Sequence, residues 1–77
     1  MPRGAHNWTF KEVTDFLKDH GFRLTHTRGS HFYYAGNYGG QPRQTHVQFH
    51  GSKAIHPRTL RTIIRQSGIP RKEWFEE

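Results

Sequence analysis

No cysteine occurs among the 77 residues. A disulfide framework and a thiolate zinc site are both excluded, and the chain suits a reducing compartment. No apolar run approaches the roughly 18 residues that a membrane-spanning helix needs. The segment Met1 to Asn7 has no apolar centre of the kind found in a secretion signal. The chain is therefore expected to act in the cytoplasm, away from membranes. Hydrophobic residues make up only 31 %, and a chain of this size buries only about 60 % of its surface on folding. One thin core is expected, in a single domain spanning residues 8–77 behind a flexible tail at 1–7. Acidic residues are also few, six against twelve Lys and Arg. Glu12, Asp15 and Asp19 fall among Lys11 and Lys18 as on a solvated helix face, and Glu73, Glu76 and Glu77 lie near the end. Metal-assisted phosphoryl chemistry needs convergent carboxylates, and this distribution does not supply them. Nor does any glycine cluster precede a helix with Lys-Ser or Lys-Thr, as a phosphate-binding loop requires. No metal and no cofactor are expected.

What the chain does have is positive charge, aromatic rings and histidine. The formal charge of +6 favours a polyanionic partner, either nucleic acid or an acidic protein. Six Phe, three Tyr and two Trp give a small core a large buried area per residue. The seven histidines are His6, His20, His26, His31, His46, His50 and His56. Their spacing does not form a helical zinc motif. Each is most simply a surface residue or a half-buried ring bonded to a carbonyl.

The elements are readable from caps and periodicity. Thr9 with Glu12 forms a capping box, and Trp8 and Val13 stand where a hydrophobic staple would lie. Apolar spacing through Phe10, Val13, Phe16 and Leu17 predicts a helix over Phe10 to Asp19, closed at Gly21 in a Schellman motif. Strands are predicted over Phe22 to Thr27, His31 to Ala35 and Thr45 to His50, with a turn at Arg28-Gly29-Ser30. Alternation places His31, Tyr33 and Ala35 on one face and Phe32 and Tyr34 on the other. Gly36 to Gln44, with its glycines, Asn37 and Pro42, reads as a flexible loop. A second helix starts at Pro57, carries Leu60, Ile63 and Ile64 inward, and closes at Gly68 with Ile69 packing back on Ile64. Pro70 to Phe75 makes a final turn that returns Trp74 or Phe75 to the core. The expected core is Phe10, Val13, Phe16, Leu17, Phe22, Leu24, Phe32, Tyr34, Val47, Phe49, Leu60, Ile63 and Ile64. Without long crossovers the strands form an antiparallel meander, and helices cover one of its faces. The result is an α+β fold, two layers in the order α-β-β-β-α, with a three-stranded antiparallel sheet.

Metal-free chemistry by histidine and cations is what this inventory permits. RNA carries its own nucleophile, the 2′-hydroxyl. A neutral histidine can take that proton, and Arg, Lys or backbone N–H donors can stabilise the phosphorane. His31 stands out by position, following Gly29 and Ser30 at a strand start with Arg28 beside it. Arg58, Arg61 and Arg65 sit at helical spacing opposite the apolar stripe of the second helix, where they could contact phosphates.

A set of residues in fixed order adds to this reading. Arg28-Gly29-Ser30-His31 follows a helix ending in His20-Gly21-Phe22. Val47-Gln48-Phe49-His50-Gly51, Lys53, Pro57-Arg58-Thr59-Leu60 and Ile63-Ile64-Arg65-Gln66-Ser67-Gly68-Ile69 come later. Over roughly residues 8 to 75 the chain resembles the HicA (YcfA-like) mRNA interferase toxins. The resemblance implies a fold like a double-stranded RNA-binding domain and a toxin of a type II toxin–antitoxin system that cleaves mRNA. It implies that His31 is the catalytic histidine, with His50, Ser30, Gly29 and Arg28 in support. RNA contacts are then expected from Arg28, Lys53, Arg58, Arg61 and Arg65. A HicB-like antitoxin would be the protein partner, and operator DNA would be met only through that complex. Two other readings stay open on the residues alone. One is a non-catalytic double-stranded-RNA-binding module. The other is a protein-binding domain whose basic face serves an acidic partner.

Overall fold

Thr9 starts the first helix by reciprocal capping. Its hydroxyl accepts from the Glu12 N–H at 3.3 Å, and the Glu12 carboxylate accepts from the Thr9 N–H at 3.0 Å. The computed structural model describes residues 8–75, so the expectations for Met1 to Asn7 and for Glu76 and Glu77 lie outside the described residues. Helix α1 runs Phe10–Asp19. It closes as the sequence predicts: the Gly21 N–H reaches the Lys18 carbonyl at 3.0 Å and the Phe22 N–H reaches Leu17 at 2.9 Å. Gly21 is left-handed, with φ 86°, which satisfies the last carbonyls of the helix.

Three strands follow, β1 (Arg23–Arg28), β2 (His31–Tyr38) and β3 (Gln41–Gln48), then α2 (Pro57–Ser67) and α3 (Arg71–Phe75). The sheet is an antiparallel meander in the order β1-β2-β3. The helices stack on one face over β3, giving the α+β two-layer arrangement. Thr45 and Val47 of β3 point into that layer and are buried, and the Thr45 hydroxyl donates to Gln66 Oε1 of α2 at 2.7 Å. The opposite face of the sheet is open.

The expected loop from Gly36 to Gln44 is instead two paired strand ends joined at Gly39-Gly40, with Asn37 opposite Pro42 and Tyr38 opposite Gln41. Both misleading residues have a physical place there. A Cβ on Gly36 would lie 2.9 Å from Phe22 Cγ, so this glycine serves close packing within a strand. Pro42 lies on β3, an edge strand, where a missing N–H is tolerated.

The core is Trp8, Val13, Leu17, Phe22, Tyr34, Val47, Ile55, Leu60, Ile63, Ile69, Trp74 and Phe75, with Phe10, Phe16, Phe32, Tyr38 and Ile64 packed against it. Two expected members fall outside it. Leu24 is 46 % exposed and Phe49 50 %. Leu24 lies on β1, all of whose residues are exposed, because the helices sit over the other edge of the sheet. Phe49 lies just past β3 and touches only the rim, its ring 5.0 Å from Phe10. In their place an aromatic box forms around Trp8, which meets Phe16 at 5.5 Å and Trp74 at 5.2 Å. The Trp8 carbonyl also accepts from the Ile55 N–H at 2.6 Å, tying the start of α1 to the approach to α2.

The end of α2 differs from the expected Schellman closure. Gly68 is left-handed, yet the Ile69 N–H donates to the Ser67 hydroxyl at 3.1 Å, and that hydroxyl donates to the Ile64 carbonyl at 2.8 Å. Ser67, wholly buried, thus relays the bond that a Schellman motif would make directly.

Candidate functional site

The histidines separate into distinct kinds. His20 ends α1, with Nδ1 2.9 Å from the Phe16 carbonyl and its ring 4.2 Å from that of Phe16. His56 begins α2: its Nδ1 accepts from the Arg58 N–H at 3.1 Å, capping the helix. Both are structural. His50 lies past β3, bridged through its backbone to Ser52. His26, His31 and His46 gather on the open face of the sheet, and His6 lies outside the described residues.

Strand register explains that gathering. Gln48 lies opposite His31 and His46 opposite Tyr33 on β2, and Arg28 closes the hairpin opposite His31. On β1 the register shifts between Leu24 and His26. Without this bulge at Thr25, His26 would face the helices; with it, His26 lies beside Tyr33 on the open face. The ring of His26 stacks on Tyr33 at 4.4 Å and 6°. Tyr33 stacks on His46 at 5.1 Å and 28°, and His46 lies 5.4 Å from His31 at 51°. The Thr25 hydroxyl donates to the Tyr33 carbonyl at 3.2 Å and lies 3.1 Å from His26 Nδ1.

His31 itself sits at the start of β2, immediately after the Gly29-Ser30 turn, with Gly29 at φ 58°. That turn is anchored to the far strand. The Phe49 N–H donates to the Ser30 carbonyl at 2.8 Å, and the Gln48 amide donates to the Ser30 hydroxyl at 3.3 Å. His31 is half-buried. Its Nδ1 is shut off from solvent without a hydrogen-bond partner, which leaves Nε2 as the ring nitrogen open to a ligand. Proton uptake at Nε2 uses the tautomer with hydrogen on Nδ1.

Electrostatically the open face is one-sided. The carboxylates among the described residues, Glu12, Asp15, Asp19 and Glu73, all belong to α1 and α3. The three strands carry none, and Arg28 stands opposite His31 on the neighbouring strand. A depression of about 730 Å³ lies toward the other end of the sheet, lined in part by Arg23, Ala35, Asn37, Arg43 and Gln44. Among the described residues no group of three or more His, Asp or Glu converges as a metal site, and no helix is long and apolar enough to cross a membrane.

The residues singled out in the sequence do not all converge. Arg28, Gly29, Ser30 and His31 form one hairpin tip. His50 and the exposed Lys53 lie in the segment that leaves the sheet at that same end, with the Lys53 N–H 3.4 Å from the His50 carbonyl. Arg58, Arg61 and Arg65 are exposed on α2, in the layer on the opposite side of the sheet from His31. Arg61 instead borders a shallow groove of about 290 Å³ with Leu60, Ile64, Arg71 and Phe75. The sequence places His46 on the third strand, on the face opposite Val47, but its nearness to His31 depends on a register that two unpredicted strand ends create.

Residues 10–69 match the family model described as HicA toxin of bacterial toxin-antitoxin. No curated protein and no solved structure matches the chain.

Proposed function

Since the chain belongs to the HicA toxin family, we propose that it is the toxin of a type II toxin–antitoxin system, a metal-independent mRNA interferase acting in the cytoplasm through His31. The observation that carries this reading is the open Nε2 of His31 on a carboxylate-free face beside Arg28. A phosphodiester can approach that face without meeting a negative side chain.

The chemistry follows from the substrate. His31 Nε2 takes the proton of a 2′-hydroxyl, whose oxygen attacks the adjacent phosphorus. Arg28, exposed at the hairpin tip, offers charge-assisted donors to the phosphorane as negative charge develops. Gly29 and Ser30 leave the tip free of bulky side chains, so the RNA backbone can approach. His50 and Lys53, at the same end, extend the polar and cationic surface that RNA would meet. A HicB-like antitoxin would neutralise the toxin by covering this face, and operator DNA would be contacted only by the complex.

The alternative is a non-catalytic double-stranded-RNA-binding module. The exposed row Arg58, Arg61 and Arg65 favours it, because these cations lie away from His31 and need no chemistry. Incubation of purified protein with RNA in EDTA, beside His31→Ala, separates the readings. Cleavage by the parent and none by the variant is the expected result. Binding without cleavage by both would replace the nuclease with the module.

A further inference from the structure

We infer that His46 is a second catalytic residue of this site, the general acid that protonates the departing 5′-oxygen; this rests on His31 acting as the base. The ring of His46 is 5.4 Å from that of His31 and inclined to it by 51°, so the two rings border a common space above the sheet. General acid and base each need to lie roughly 2.6–3.2 Å from the oxygen they serve. Two imidazoles at this separation can serve two oxygens of one phosphate.

The neighbours of His46 hold its ring in place. Tyr33 stacks on it from β2 and His26 stacks behind Tyr33 from β1, which fixes its ring plane. The titratable or charged groups on this part of the face are His31 and Tyr33 on β2 and His26 and Arg28 on β1; besides His46 itself, β3 adds only the neutral amides Gln44 and Gln48. None is a carboxylate. No carboxylate on this part of the face therefore competes with an arriving phosphate for the His46 N–H. His50, the other histidine near this end, makes no ring contact with His31 among the described residues.

During cleavage the O2′–P bond forms and the P–O5′ bond breaks. The 2′-hydroxyl proton passes to His31, and a proton from the His46 imidazolium passes to O5′. The products are a 2′,3′-cyclic phosphate and a 5′-hydroxyl, with His31 protonated and His46 neutral. Water then opens the ring with the roles exchanged: His46 takes a proton from water and His31 returns one to the 2′-oxygen. A 3′-phosphate results and both rings are reset.

The test uses an oligoribonucleotide that the parent protein cleaves at a mapped position, and the same strand with sulfur replacing the bridging 5′-oxygen there. A thiolate leaves without protonation. His46→Ala should cleave the oxygen substrate about 10²–10⁴-fold more slowly and recover most of that loss on the sulfur substrate. His31→Ala should be inactive on both. The parent pH–rate profile should be bell-shaped, and His46→Ala should lose the fall on its alkaline side. His46→Asn, which keeps polarity without proton transfer at this pH, should behave as the Ala variant. If His31→Ala is inactive while His46→Ala matches the parent on oxygen, or is equally slow on both substrates, the assignment of His46 is wrong. If the parent yields no cyclic or 3′-phosphate end, or His31→Ala cleaves normally, the base assignment fails first and this inference falls with it.

Discussion

Gly36 and Phe22 are packed so closely that a Cβ on the glycine would lie 2.9 Å from Phe22 Cγ and 3.0 Å from its Cα. The nearer neighbour is a buried ring and the other is backbone, so neither moves freely. Gly36→Ala should destabilise the fold by about 1–3 kcal/mol through overpacking, measured by chemical denaturation. A neutral result would mean that Phe22 is free to shift.

Ile63 is 2 % exposed and Leu24 46 %, and the two should respond differently to truncation. Ile63→Ala should cost about 2–4 kcal/mol, the transfer loss plus a cavity. Leu24→Ala should cost about 0.5 kcal/mol or less. Equal effects in urea melts would show that the uncovered strand carries more of the stability than its exposure indicates.

Tyr34 gives an alkaline signature. Burial raises its phenol above the ordinary tyrosine range, with the Thr14 hydroxyl opposing that shift. The folded state therefore holds its proton to higher pH than the unfolded chain. This contribution to stability is fully present below about pH 10, the unfolded value, and is lost as pH rises through the folded value. Tyr34→Phe should flatten the stability curve in that range. A curve that falls as steeply as the parent's would assign the alkaline loss to other groups.

His31→Ala should abolish RNA cleavage while changing the midpoint of unfolding little, since the half-buried ring makes no hydrogen bond that its loss would break. Parent cleavage should persist in EDTA. Activity that disappears on chelation and returns with magnesium would require a metal-dependent mechanism instead.

The arginines of α2 should act on affinity alone. Replacing Arg61 or Arg65 should reduce the slope of log K against log salt by about one unit for each phosphate that the side chain neutralises. The single-turnover rate at saturating RNA should stay unchanged. A lowered saturated rate would mean that this helix helps to position the scissile phosphate.

Much of the architecture was legible in the sequence because local chemistry settled it. The Thr9–Glu12 box and Gly21 defined both ends of α1, and Pro57 with Gly68 bounded α2. Reading failed where tertiary packing gave familiar residues another use. Gly36 and Pro42 resemble loop residues but serve a close approach and an edge strand. Phe49 looks like a core position by alternation, yet it lies beyond the end of the ladder. Ile55 lies outside the regular periodic stretches, so its burial could be seen only once the elements were packed. The same limit applies to the site. The Gly29-Ser30-His31 turn was readable locally, whereas the approach of His46 required the full pairing of β2 with β3 and that of His26 required the bulge.

That bulge also bears on how the molecule avoids its own kind. A three-stranded open sheet has unpaired backbone donors and acceptors along both outer margins, which invite another chain to extend the ladder. Here β1 is interrupted at Thr25 and flanked by Arg23 and Arg28, so two such margins brought together would mismatch in geometry and repel in charge. The other margin contains Pro42, which lacks an N–H and cannot complete a regular ladder. Both margins are thus guarded against edge-to-edge aggregation, although the chain leaves a whole strand uncovered.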